Sequence, residues 1–190
     1  MEQELTLLDH AIIFATRAHS GTTRKGTNVP YIVHPIEAAA IVSAMTDDEE
    51  IIAAAVLHDV LEDTDATEDD LYAGFGHRIT ELVANESEDK RKNLPAALTW
   101  KLRKQETITF LETRADKDAK MLALADKLSN LRAIHRDVCI IGDKVWERFN
   151  EKDKQMHAWM YRSIAEALRD LQEHPTWQEY DRLVRTVFGE

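Results

Sequence analysis

The chain has 190 residues, 44% hydrophobic and 31% charged, a length and balance that suit one domain with one buried core. A formal net charge of -11 with no long basic stripe excludes nucleic acid as a principal partner, and the longest apolar stretch, residues 51–61, is too short to cross a bilayer. Six Gly and four Pro, against plentiful Ala, Leu, Glu, Lys and Arg, exclude a turn-rich β fold and predict a single all-α domain over residues 1–190.

Met1-Glu2-Gln3-Glu4 is the wrong opening for a signal peptide, so a cytoplasmic location is expected. The lone Cys139 has no partner for a disulfide or a thiolate metal site and is expected as a small buried hydrophobe.

In chain order, Leu5, Leu8, Ile12, Ala15 and Ala18 recur at helical spacing and predict a first helix that stops near Ser20-Gly21. A polar loop follows, residues 21–30, with two glycines and the adjacent cations Arg24 and Lys25. Pro35 opens a second helix through Ile41 and Val42. Thr46-Asp47-Asp48-Glu49 has the form of a capping box, which predicts an unbroken third helix over 47–61 with His58 and Asp59 in its last turns. Thr67 opens a short helix that Gly74-Phe75-Gly76 ends, and residues 77–85 begin the next. Beyond a charged loop at 86–93, long helices are expected over 95–115 and 118–135, then a break at Gly142. Final helices over 152–173 and 177–188 are separated by a stop at Pro175.

Three separated segments offer metal ligands: His34 beside Pro35, the pair His58-Asp59, and Asp126 inside Leu122-Ala123-Leu124-Ala125-Asp126-Lys127-Leu128. Each interrupts an apolar run, where an unpaired charge is costly. Side chains of His58 and Asp59 project about 100° apart on a helix, so both reach one ion only if further ligands come from other helices, and His34 and Asp126 are the natural suppliers. Two imidazoles and two carboxylates suit Mn²⁺, and also Fe²⁺ or Zn²⁺. Glu62 and Asp63, one helical turn onward, are placed to orient or deprotonate a water beside the ion. Asn130, four residues after Asp126, is placed to bond a substrate hydroxyl or phosphate. His10, His77, His135, His157 and His174 are read as structural or surface residues, although His157 and Tyr161 could line a pocket. Trp100, Trp146, Trp159 and Trp177 are read as core packing, and Lys90-Arg91-Lys92 as a solvated face.

The set His34-Pro35, His58-Asp59, Glu62-Asp63-Thr64 and the run from Leu124-Ala125-Asp126 to Asn130-Leu131-Arg132, with Arg24-Lys25-Gly26, Pro30-Tyr31-Ile32 and Phe75-Gly76, resembles the HD-domain hydrolases of the RelA/SpoT type. Among them it is most similar to the small alarmone hydrolases that lack a synthetase domain, and the likeness runs from about Ala11 to Arg136. The resemblance implies a helical bundle with a metal site between helices. It also implies a Mn²⁺-dependent removal of the 3′-diphosphate of (p)ppGpp, with a guanine nucleotide as the partner and GDP or GTP and pyrophosphate as products. By the same resemblance, Glu62 and Asp63 match the catalytic acidic pair, Arg24 and Lys25 the nucleotide-binding cations, and Asn130 a nucleoside contact. Without it, Arg24-Lys25 reads as an ordinary exposed loop. Two regions depart from the pattern: the heavily charged segment Glu86-Ser87-Glu88-Asp89-Lys90-Arg91-Lys92 and the C-terminal third. Two alternatives stand beside this reading, an HD-domain phosphohydrolase acting on another phosphorylated nucleotide and a non-catalytic metal-binding regulatory module.

Overall fold

A computed structural model of the chain describes residues 4–91 and 93–189, so Met1, Glu2 and Gln3 of the opening and Lys92 of the basic run lie outside the described residues. Its α-helices are α1 (Leu7–Ala18), α2 (Val33–Val42), α3 (Glu49–Leu57), α4 (Val60–Asp63), α5 (Glu68–Glu86), α6 (Ala96–Thr113), α7 (Lys117–Ile141), α8 (Lys154–Ala167) and α9 (Pro175–Phe188). Among the described residues the one β feature is an isolated bridge between Thr23 and Pro30, and no helix is long and apolar enough to cross a membrane.

The core is organised around α3 and α7. Ala53, Ala54 and Ala55 of α3 are completely buried, and their small side chains let α1, α2, α5 and α7 pack around that helix. Leu122, Leu124, Leu128 and Leu131 of α7 fill the adjoining space, each contributing roughly 1.5–3 kcal/mol through burial. α9 packs on α7 and on α8, which in turn lies against α6.

Five local expectations are corrected. The third helix is not continuous over 47–61: α3 ends at Leu57, and Asp59 leaves the helical course with φ -95 and ψ -4 before α4 begins. His58 Nδ1 donates to the Ala55 carbonyl at 2.8 Å, the acceptor that the Asp59 amide takes in an unbroken helix, so the side chain competes the backbone bond away. The cap is Asp48, whose side chain accepts from the Glu50 amide at 3.0 Å; Thr46 accepts from Asp48 itself. Pro175 does not only stop a helix but opens α9 at its first position, with His174 as the cap. Cys139 is exposed, because α7 continues past the expected end at residue 135 and presents it to solvent. The expected stop at Gly76 falls inside α5 as a kink, φ 79 and ψ 179.

Candidate active site

The polar loop before α2 is an ordered, hairpin-like turn. Arg24 N–H donates to Val29 O at 2.8 Å and Tyr31 N–H to Thr22 O at 3.0 Å, which fixes where Arg24 and Tyr31 point. Gly26 within it has φ +72, and a Cβ there would lie 2.5 Å from Arg148 Cδ, so both backbone and space ask for glycine.

α2, the α3–α4 break and α7 converge to bring His34, His58, Asp59 and Asp126 together. His34 Nε2 lies 3.0 Å from Asp126 Oδ1 and 3.4 Å from Asp59 Oδ2. His58 Nε2 lies 3.1 Å from Asp59 Oδ2 and 3.5 Å from Asp126 Oδ1. Outer hydrogen bonds fix both rings. His58 Nδ1 must donate, since its partner is a carbonyl, and His34 Nδ1 lies 2.8 Å from Ser129 Oγ, whose own proton goes to Glu37. Both Nε2 atoms therefore turn toward each other at 3.2 Å, a spacing that calls for a cation between them. His34, His58 and Asp126 offer donor atoms all within 4.8 Å of one another, a set that fits a divalent ion, with Asp59 alongside.

Burial opposes ionisation of His58, Asp59 and Asp126, but the neighbouring charges win. The carboxylates of Asp59 and Asp126 hold the His58 pKa well above its ordinary value. His58 and His34 hold Asp59 well below the carboxylate range, and Lys127, with both imidazoles, does the same for Asp126.

Both acidic residues lie on α4, just after the break, but they meet different surroundings. Asp63 accepts from Tyr31 Oη at 2.7 Å and from Lys90 Nζ, and it faces a cavity of about 350 Å³. Glu62 instead accepts from the Glu88 amide at 3.3 Å, and burial, reinforced by Asp59 and Glu88, raises its pKa. Asn130 bridges two of the expected residues: its amide donates to Asp126 Oδ1 at 2.6 Å while its oxygen accepts from Arg24 at 2.5 Å. Lys25 sits at the cavity wall and reaches Asn150 at 3.3 Å.

The HD domain family profile matches residues 11–151. This chain belongs to the HD-domain family. It is similar to the human guanosine-3′,5′-bis(diphosphate) 3′-pyrophosphohydrolase MESH1, 37% identical over 139 residues, 72% of this chain and 74% of that protein. The Vibrio cholerae guanosine-3′,5′-bis(diphosphate) 3′-pyrophosphohydrolase is 36% identical over 136 residues, and there the chain spans only 19% of the relative's length. Among solved structures, a metazoan ortholog of SpoT that hydrolyzes ppGpp superposes over the whole of both chains with a TM-score of 0.79 at 25% identity. A Listeria monocytogenes protein does so with 0.72 at 32% identity, over 83% of this chain and 99% of its own.

The HD-domain site also contains residues that sequence reasoning did not single out. Tyr31 Oη lies 2.7 Å from both Asp59 Oδ2 and Asp63 Oδ2, tying a metal-cluster carboxylate to one of the acidic pair. Its ring stacks on His19, which is 3% exposed and has both ring nitrogens without a partner among the described residues. Lys127 bonds Asp126 and reaches Glu86 at 2.9 Å, and burial pushes Glu86 up to about 7. Lys104, Arg136 and Arg148 join Arg24 and Lys25 around the cavity, which Trp100 also lines beside His157 and Tyr161, the two residues already offered for a pocket wall. Lys127 follows Asp126 directly and was legible as part of the same motif. Arg148 lies beyond a break at Gly142 and carries no local signal.

Proposed function

We propose that this HD-domain chain hydrolyses the 3′-diphosphate of (p)ppGpp, releasing pyrophosphate and leaving GDP or GTP, with Mn²⁺ held by His34, His58, Asp59 and Asp126. The observation that carries the reading is the adjacency of a buried histidine-carboxylate cluster to a cavity walled by Arg24, Lys25, Lys104, Lys127, Arg136 and Arg148. In a protein of net charge -11, so many cations on one cavity suit a ligand with several phosphates. The likeness to MESH1, three quarters of whose length the chain covers, supports the same substrate.

When bound, the ion supplies Lewis-acid polarisation of a phosphoryl oxygen and a water of lowered pKa. The chain's own groups do the rest. Glu62, whose burial strengthens its hold on a proton, and Asp63, which faces the cavity, are the acceptors for the proton lost by water. Arg24 and Lys25 neutralise phosphate charge, and Asn130 contacts the nucleoside while holding Arg24 in line with Asp126. Trp100 and Tyr161, nearly fully buried in the core, edge the cavity and would bound the space left for a base.

The test is release of pyrophosphate from ppGpp, pppGpp and a panel of nucleoside mono-, di- and triphosphates, with Mn²⁺ and after chelation. Metal-dependent release from the two alarmones, well above the panel, is expected. Turnover confined to another nucleotide would overturn the substrate, and none at all with Mn²⁺ bound would overturn the enzyme reading.

A further inference from the structure

The HD domain match ends at residue 151, yet α9 beyond it is joined to the metal cluster by an unbroken run of polar contacts. His34 Nδ1 meets Ser129 Oγ at 2.8 Å, and that hydroxyl donates onward to Glu37 Oε2 at 2.9 Å. The other oxygen of Glu37 accepts from Arg132 Nη1 at 3.2 Å. Arg132 then grips Glu179 of α9 through two parallel bonds of 2.7 and 2.8 Å.

Direction along this run is forced. A carboxylate only accepts, so the single Ser129 proton points at Glu37 and a lone pair of the hydroxyl faces His34. His34 Nδ1 is thereby the donor, and the Nε2 lone pair faces the space it shares with Asp126 and His58, where an ion would sit. Spacing makes the arrangement possible: Glu37 follows His34 by one turn of α2, and Ser129 and Arg132 follow Asp126 by one and two turns of α7. Ser129 is 1% exposed, so water cannot replace a missing partner cheaply.

We propose that Glu37 is a positioning residue of the metal site: through Ser129 it fixes which nitrogen of His34 faces the ion, and α9 completes the site by holding Glu37 through Arg132 and Glu179. The inference rests on His34 being a ligand, as the proposed function has it. Loss of such an outer partner typically weakens metal binding by about 10–100-fold.

The experiment measures Mn²⁺ affinity of the metal-free chain by competition with a fluorescent chelator, together with its melting temperature. Glu37→Ala and Ser129→Ala should each weaken Mn²⁺ by roughly 10–100-fold, and Glu179→Ala by a smaller factor. Glu37→Gln keeps an acceptor for Ser129 and should bind within a few-fold of the wild type. A merely structural role would lower the melting temperature and leave Mn²⁺ affinity unchanged in both alanine variants, which would overturn the proposal. Ser129→Ala removes one hydroxyl and keeps the test open if Glu37→Ala fails to fold. An inability of the wild-type chain to bind Mn²⁺ would instead sink the metal reading, and the relay with it.

Discussion

Asp126 gives one oxygen to the histidine cluster and the other to Lys127. Asp126→Ala should therefore remove the ion and abolish turnover, because three remaining ligands rarely hold a labile divalent ion against water; full metal occupancy by elemental analysis would take Asp126 out of the site. Glu62→Gln and Asp63→Asn should keep the metal and lower kcat by roughly 10²-fold or more, as losses of a proton acceptor usually do. Metal loss in either variant would promote that residue to a ligand. Arg24 stands between Asn130 and the cavity, so Arg24→Ala should weaken substrate binding by about 1–3 kcal/mol without altering metal content. The penalty should be larger for a nucleotide with 5′- and 3′-diphosphates than for a monophosphate, and kinetics on the two compounds decide it.

At the level of elements, the kink in α5 depends on one residue. Gly76 has φ 79 and ψ 179, a region open essentially to glycine alone, while the space around it is empty. Gly76→Ala should cost of the order of 1–3 kcal/mol through backbone strain alone, a fall of several degrees in melting temperature; an unchanged melt would mean that α5 straightens at no cost. The α6–α8 contact holds His157 among Trp100, Trp146 and Phe149, with Nε2 donating to the Glu151 carbonyl at 2.9 Å. Burial lowers its pKa below the ordinary 6.5. The unfolded chain then binds the proton more readily, so this contribution to stability is present above pH 6.5 and is lost progressively as pH falls below it. His157→Phe should flatten the pH dependence of the melting temperature over that acidic window, and an identical slope would remove His157 as its source.

Across the whole molecule, the charge is unevenly spread: the net value is -11, yet cations collect at one cavity. Attraction of an anionic nucleotide is therefore local and should be screened by salt, so kcat/KM should fall as ionic strength rises while kcat changes little. A salt-independent kcat/KM would mean that the cavity's cations do not guide the substrate.

Helical periodicity, few glycines and prolines, and ligand-type residues embedded in apolar runs fixed the all-α class and drew His34, His58, Asp59 and Asp126 into one hypothesis, because burying a charge is costly enough to leave a mark in sequence. Glu62, Asp63 and Asn130 were legible from helical spacing even though the helix carrying Glu62 and Asp63 is broken. That break was not legible, since it arises from a side chain competing for a backbone carbonyl. Nor were the partners of Tyr31, the cavity position of Arg148, or the run from His34 through Glu37 to Glu179. Those join segments far apart in sequence, 95 residues in the case of Glu37 and Arg132, and only tertiary packing brings their short-range chemistry within reach.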